Sequence, residues 1–463
     1  MHLKKITLTN FRCFRNLSMD FEPQLTVLTA TNGHGKTTIL EAVKYALHVI
    51  VGRFPTMSTQ KPADGNISAF IDASGEERRE RYLRIMATAD LGGGADWSWG
   101  IHVANKNLPK DEKLAFDSGD LKLVHKYVDE LAQDRFNGGD KVLPVIAYYD
   151  TQRAVTTKVQ RRRGFRTRLE YYEGYKGCLD AGLSFKSMLE WIECFEKKEH
   201  DEWKKSNSMA YSSLENQVIQ TALRILIPEL SNLRTELGPY RLVVDAEIDG
   251  VKTACRVDEY LSDGYRIVLM MVLDLISRII KLNPKSFKSP QEALNCPGVA
   301  LIDEIDLHLH PEWQQRVLPS LLNVFPRIQF IVTTHSPQVV SSVDAQCVRK
   351  INVKTEVTSV RSEPENIQQV TRPAINTQGA KAGQILSSVF DTSERAPSAD
   401  LTRDIREFRE MLANGNWDSE EGEALWEKLS AAMQTDPELP SLKVERMFKE
   451  YDREKGHEAN PQA

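Results

Sequence analysis

The chain has 463 residues, enough for roughly two to four domains at the usual domain size, and its 41% apolar and 27% charged content excludes an intrinsically disordered chain. Its longest apolar run, Ile267 to Ile276, is interrupted by Asp274 and falls short of the ~18 residues that a bilayer span needs, so no segment is expected to cross a membrane. Sixty Lys and Arg against 65 Asp and Glu give a net charge of -5, so bulk charge does not mark a nucleic-acid binder and any such surface must be local.

Met1-His2-Leu3-Lys4-Lys5 opens an alternating pattern that does not read as a signal peptide, and a cytoplasmic location is the expectation. Leu3, Ile6 and Leu8 punctuate a first strand, Leu17, Met19 and Phe21 a second, and Leu25 to Leu28 a short buried third. The loop Thr29 to Gly35 then runs into a helical pattern through Ile39, Leu40, Val43, Leu47 and Ile50. Residues 51 to 120 are polar and turn-rich, with an alternating stretch from Ala95 to Val103, which predicts an antiparallel β subdomain. Leu143 to Tyr149 reads as a returning buried strand. The stretch 165–235 reads as long, charged and helical, with the mixed-charge run Glu196 to Lys205 expected to project outward. Strands at 241–247 and 251–256, a helix over 263–282, a strand at 299–302, a helix over 312–324 and a strand at 328–332 complete a βαβ alternation. A helical piece over 380–390, a Ser/Pro/Asp-rich linker at 392–400 and three amphipathic helices follow. Cys13, Cys178, Cys194, Cys255, Cys296 and Cys347 are scattered without a C-x-x-C and are expected to be reduced.

Ala30 to Thr37 follows the spacing of a phosphate loop, G-x-x-x-x-G-K-[ST], with Ala30 in place of the first Gly. The mechanics survive that change. Gly33 and Gly35 let backbone N–H groups close around phosphates, flanked by Asn32, His34 and Thr38. Lys36 reaches β and γ oxygens, and Thr37 offers its hydroxyl to Mg²⁺. Val299 to Glu304 is an apolar strand ending in two carboxylates, a layout that puts Asp303 on Mg²⁺ and Glu304 beside an attacking water. Ser262 and Gly264, in Leu261-Ser262-Asp263-Gly264, open a helix whose free N–H groups can grip a γ-phosphate from a second subunit. His335, in Thr333-Thr334-His335-Ser336, sits just past the next strand, within reach of the same phosphate.

These motifs in this order resemble the ABC-type ATPase head of the RecF, SMC and OLD-like proteins, and Leu8 to Phe14 adds to the likeness. The resemblance implies an α/β fold: a P-loop ABC-type head with an antiparallel β subdomain, a helical insertion and a helical C-terminal extension. It divides the chain into 1–164 (N-terminal lobe), 165–240 (insertion), 241–375 (C-terminal lobe) and 376–463 (extension). It implies ATP and Mg²⁺ as cofactors, Glu304 and His335 as catalytic groups, and Ser262 and Gly264 serving ATP on a neighbouring copy in head-to-head dimers.

The family's Mg²⁺-contacting glutamine matches Gln152, for which an exposed loop residue is the alternative. His310 stands where ABC heads carry Asp; with His308 it would be either half of a metal site or a loop packing feature. Arg161, Arg162, Arg163, Arg166 and Arg168, with Lys158, form a basic run that would hold DNA or simply be solvated.

The segment after His335 lacks the acidic set of a TOPRIM nuclease, so no cutting is expected from this chain. It is similar to the ATPase subunits of the Septu anti-phage system and of related retron-associated systems, a family that works with a separate HNH-type nuclease. That resemblance implies an anti-phage defence ATPase, and the helices after 400 are the candidate docking surface. The alternative is a RecF- or SMC-like repair ATPase that clamps DNA without a nuclease.

Overall fold

The computed structural model describes residues 1–30, 33–55, 57–71, 75–107, 116–151, 172–180, 185–208, 211–236, 241–248, 250–357 and 364–458. The chain divides into two compact units, Met1–Phe390 and Asp391–Ala463.

The first unit is built on a six-stranded sheet in the order Pro364–Thr371, Val348–Val357, Leu25–Thr29, Ile328–Thr333, Gly298–Ile302, Val145–Tyr149. All neighbours are parallel except the outer pair Val348–Val357 and Pro364–Thr371. Leu25–Thr29, Ile328–Thr333, Gly298–Ile302 and Val145–Tyr149 are buried at every position, which is why they read as continuous apolar runs with no alternation. The pleat still sorts side chains between two cores. Val27, Ala147, Tyr149, Ala300, Ile302, Phe330 and Val332 face one apolar cluster, while Leu28, Ile146, Tyr148, Val299, Leu301 and Ile331 face the other.

One face is covered by the helices Asp263–Leu282 and Pro311–Val324, together with Leu214–Leu226. The other carries the helix Lys36–Val51 and a four-stranded antiparallel sheet in the order Phe14–Asp20, His2–Phe11, Tyr82–Asp90, Asp96–Ala104. Two of its strands, Tyr82–Asp90 and Asp96–Ala104, come from the 51–120 stretch expected to be antiparallel, and the other two are the first two strands of the chain. Trp99 ties this sheet to the helix by donating its indole N–H to the Ala46 carbonyl at 3.1 Å. Gln329, buried in the central sheet, accepts from the Leu3 N–H at 2.7 Å and donates to the carbonyls of Leu3 and Glu22, both at 2.8 Å. A buried amide whose donors and acceptor are all paired holds two sheets in fixed register.

Two expectations are corrected. The 165–235 stretch is not helical to its end. After the helices Phe185–Ser206 and Leu214–Leu226, Leu230–Glu236 forms a strand and pairs antiparallel with Arg241–Ile248, which pairs in turn with Val251–Arg256. Nor does the charged helix Phe185–Ser206 simply project outward. Met188, Leu189, Ile192 and Phe195 are buried in the core at helical spacing, and Glu196 and Glu199 are tied to Thr235 and Ser213. A further helix, Leu121–Phe136, buries Val124, Val128 and Leu131.

The second unit holds three helices, Asp400–Asn414, Glu420–Ala432 and Leu439–Glu458, around Ile405, Phe408, Leu412, Leu429, Met433 and Leu442. Arg395 closes it with ion pairs to Asp436 and Glu438. Among the described residues no helix is long and apolar enough to cross a membrane.

Candidate functional site

Parallel strands deliver their C-terminal ends to one edge of a sheet, and loops after those ends form the crevice where α/β folds bind ligands. Here Leu25–Thr29 runs into the phosphate loop, Gly298–Ile302 into Asp303 and Glu304, and Ile328–Thr333 into His335.

Gly33 and Gly35 both take positive φ, at 82° and 92°, the backbone conformation with which glycine-containing loops form anion-binding nests. Gly35 is the residue before Lys36–Val51, and no side chain caps that helix and no acid occupies its first turn. Its positive end is therefore left for an anion. Gly35 has a second constraint. A Cβ there would stand 2.4 Å from Phe14 Cζ and 2.9 Å from Cys13 Sγ, whereas a Cβ on Gly33 would meet nothing within 4 Å. The Cys13 thiol also hydrogen-bonds the Thr38 side chain. The turn joining the first two strands thus buttresses the phosphate loop from below.

Lys36 is buried and donates from Nζ to the Ala30 carbonyl at 3.0 Å. Burial pulls its pKa down, and the carboxylates of Asp303, Glu304 and Asp306 pull it partly back. Thr37 donates from Oγ1 to Asp303 Oδ2 at 2.9 Å, across a sequence separation of 266 residues. The other carboxylate oxygen of Asp303 accepts from Thr333 Oγ1 at 2.5 Å, and the Asp303 N–H donates to the Tyr149 carbonyl at 2.8 Å. A hydroxyl and a carboxylate converging in this way form a hard-oxygen set, the donor chemistry that suits Mg²⁺.

Glu304 adopts φ 48°, an uncommon conformation for a non-glycine residue, and its N–H donates to Thr333 Oγ1 at 2.7 Å. His335 lies between two pinned neighbours. Thr334 donates to Asp306 at 2.6 Å, and Ser336 donates to Gln314 at 2.6 Å while accepting the N–H groups of Gln338 and Val339. Burial and the Lys36 charge lower the His335 pKa, while Asp306, Glu304 and Asp303 oppose them; the net direction favours the neutral imidazole.

Ser262 precedes the helix Asp263–Leu282, is exposed and makes no side-chain cap. Gly264 is buried, and a Cβ there would stand 2.5 Å from the His308 carbonyl oxygen. It therefore lets this helix abut the loop after the paired acids within its own chain. In that loop His310 accepts the Glu312 N–H at the start of Pro311–Val324, and His308 takes φ 64°. Among the described residues no cluster of three His, Cys, Asp or Glu could hold a metal ion. The helix Asp263–Leu282 is locked to the sheet by a buried group. Tyr149 donates to Asp274 at 2.8 Å, Arg278 pairs with Asp274 at 2.6 Å, and Arg278 also donates to the carbonyls of Gly174 and Lys176.

Residues 5–237 match a family described as AAA domain, half of the chain. This chain belongs to that AAA-domain family. Residues 255–341 of the AAA-domain chain match a second family, described as AAA domain, putative AbiEii toxin, Type IV TA system. The chain is 26% identical to the Retron Ec83 probable ATPase of Escherichia coli, over 96% of this chain and 86% of that one. It is 42% identical to the Septu protein PtuA of Bacillus mycoides (strain KBAB4), over 17% of this chain and 10% of that one. The SMC head domain from Thermotoga maritima aligns over 81% of this chain and 100% of that one, at 15% identity and a TM-score of 0.41. The matched families and relatives support ATPase activity, and they accord with the RecF, SMC and OLD-like resemblance read from the motifs.

Of the residues singled out in the sequence, Gly33, Gly35, Lys36, Thr37, Asp303, Glu304 and His335 are brought to one edge. Asn32, Gln152 and the basic run Arg161, Arg162, Arg163, Arg166 and Arg168 lie outside the described residues. The sequence reading passed over Thr333, Asp306, Tyr149, Asp274 and Cys13. Thr333 and Asp306 lie within or next to recognised motifs, so the polar residues flanking each motif were the available signal. Tyr149 and Asp274 meet only in the folded chain.

Proposed function

We propose that this AAA-domain chain is the ATP-binding and hydrolysing subunit of an anti-phage defence complex, in which nucleotide-dependent pairing of heads controls a separate HNH-type nuclease. The observation that carries the ATPase reading is the Thr37–Asp303 contact beside Lys36, which joins residues from opposite ends of the head. In this reading the loop N–H groups and Lys36 hold the β and γ phosphates of ATP. Thr37 and Asp303 hold Mg²⁺, which when bound supplies charge neutralisation at those oxygens. Glu304 orients and deprotonates the attacking water, and neutral His335 donates a hydrogen bond to the γ-phosphate. Ser262, exposed and free of capping duty, serves ATP bound to a second copy.

The defence context is supported by the likeness to a retron ATPase and a Septu protein. The controlled nuclease is inferred from the family resemblance, and the basic run at 158–168 is the candidate DNA contact. The test is ATP turnover and mass photometry of wild type, Glu304→Gln and Ser262→Arg, with Mg²⁺ or with EDTA. Expected are Mg²⁺-dependent turnover in wild type, ATP-stabilised dimers without turnover in Glu304→Gln, and monomers that bind but do not turn over ATP in Ser262→Arg. Full turnover in Glu304→Gln refutes the hydrolytic assignment. Salt-sensitive DNA binding by the chain alone, with no nuclease partner, favours the DNA-clamping repair reading instead.

A further inference from the structure

Thr333, Thr334 and Ser336 are buried, and each hydroxyl donates within the chain. Thr333 Oγ1 donates to Asp303, Thr334 Oγ1 to Asp306 Oδ1 at 2.6 Å, and Ser336 Oγ to Gln314 Oε1 at 2.6 Å. The backbone is held as well. The Thr334 N–H donates at 3.2 Å to the carbonyl of Leu28, on the strand that enters the phosphate loop, and the Thr333 carbonyl accepts the Ile305 N–H at 3.0 Å. His335, inside this segment, is half-buried, and among the described residues its ring makes no hydrogen bond. Fixed neighbours around one unengaged ring present that ring to a ligand.

Asp306 differs from the other two acceptors. Asp303 already meets Thr37, and Gln314 also donates to the Leu309 carbonyl, whereas the one side-chain hydrogen bond of Asp306 among the described residues is that from Thr334. Ile305 is buried in the core, and turns closed by the Leu307 N–H on the Glu304 carbonyl and the Leu309 N–H on the Asp306 carbonyl bend the chain after the paired acids. Gly264 braces this loop by leaving room for the His308 carbonyl. The charge of Asp306 is felt in the site: burial and Lys36 lower the His335 pKa, and Asp306 leads the carboxylates that oppose them. The bond from Thr334 to a carboxylate is charge-assisted, and the same hydroxyl accepts the Ser336 N–H at 2.9 Å, so one oxygen pins the backbone on both sides of His335. Truncating Asp306 leaves that buried hydroxyl without its acceptor and frees the turn that carries the imidazole.

We propose that Asp306 is a positioning residue for ATP hydrolysis: by accepting the Thr334 hydroxyl it holds His335 where the ring can meet the γ-phosphate. The reaction rests on the function proposed above; the contact rests on geometry. The test measures ATP turnover by the full-length chain with Mg²⁺. Beside it, NMR of isotope-labelled histidine rings follows His335, whose signal is identified by its loss in His335→Gln. Asp306→Ala and Thr334→Val are each expected to lower kcat by about tenfold or more with KM within about threefold, because misplacing a positioned group costs rate more than binding. Both should shift or broaden the His335 signal, and the double variant should be no slower than the slower single one. Asp306→Asn keeps the acceptor and Thr334→Ser the donor, so each should recover most of the rate.

Turnover near wild type in Asp306→Ala or in Thr334→Val overturns the proposal, as does an additive loss in the double variant. Asp306→Asn as slow as Asp306→Ala overturns it too, since the charge and not the hydrogen bond would then be at work. If Asp306→Ala does not fold, Thr334→Val against Thr334→Ser decides the same question: equal rates in those two overturn it. A wild-type chain that turns over no ATP refutes the ATPase reading instead, and the ring signal then decides the positioning claim. That claim stands if Thr334→Val moves the signal and Thr334→Ser does not, and falls otherwise.

Discussion

Gly33 and Gly35 allow a controlled comparison, because their backbones are nearly alike and their surroundings are not. With φ at 82° and 92°, Gly→Ala at either position costs about 1–2 kcal/mol for placing a Cβ in the left-handed region. The same substitution removes the same unfolded-chain freedom at both, so that contribution cancels. What differs is contact. The added methyl at 33 meets nothing within 4 Å, while at 35 it would lie 2.4 and 2.7 Å from Phe14 Cζ and Cε2. Phe14 is fully buried and cannot swing away, so overpacking adds about 1–3 kcal/mol at 35 alone.

Gly35→Ala is therefore expected to be less stable than Gly33→Ala by that difference. The assay is guanidinium denaturation of both full-length variants, comparing midpoints at unchanged slope. Phe14→Leu removes the two clashing ring atoms and should recover part of the loss in the Gly35→Ala background, giving a favourable coupling in a double-mutant cycle. Equal midpoints for the two Gly→Ala variants, or no coupling to Phe14, would refute the claim that the turn at 13–14 supports the phosphate loop by direct contact.

Lys36→Ala should abolish ATP binding measured by equilibrium fluorescence, since it removes a buried cation whose charge meets Asp303, Glu304 and Asp306 and which would meet the β and γ phosphates. Glu304→Gly should abolish turnover without lowering stability, because relief of the left-handed Cβ at φ 48°, about 1–2 kcal/mol, offsets the roughly 0.4–1 kcal/mol that glycine's unfolded-chain freedom costs; a clearly destabilised variant in thermal unfolding would contradict this. Tyr149→Phe removes one hydrogen bond from the carboxylate of Asp274, costing about 1.5–3 kcal/mol, and should reduce turnover more than ATP affinity, read as kcat against KM. For His335 the folded pKa lies below 6.5, so the unfolded chain takes up the proton first as pH falls. Above pH 6.5 the residue is neutral in both states and contributes nothing; below it, folding is progressively penalised. His335→Gln should narrow the stability gap between pH 7.5 and pH 5.5, and an unchanged gap would refute the burial argument.

The phosphate loop was legible because strand, Gly-containing loop and helix are adjacent in the chain, and the backbone geometry that binds phosphate is local. The paired acids were legible for a similar reason: a continuous apolar run that ends in two carboxylates has the pattern of a buried strand leading into a loop at the sheet's C-terminal edge. The helix Leu121–Phe136 was missed although Val124, Val128 and Leu131 recur at helical spacing, since its remaining positions are polar. The strand Leu230–Glu236 was absorbed into a helical reading although Pro228 marks the break, because a charged stretch gives a weak period and its partner strand fixes the pairing.

By itself, then, the sequence determined the order of the elements, the loop that turns its N–H groups outward, and the residue types at each strand end. The tertiary structure decided what those residues touch. Thr37 meets Asp303 across 266 residues, Tyr149 locks Asp274 in the helix after Ser262, and Gly264 admits the His308 carbonyl. These contacts depend on sheet register and helix packing, which are set by two apolar cores closing at once and not by any one segment's pattern.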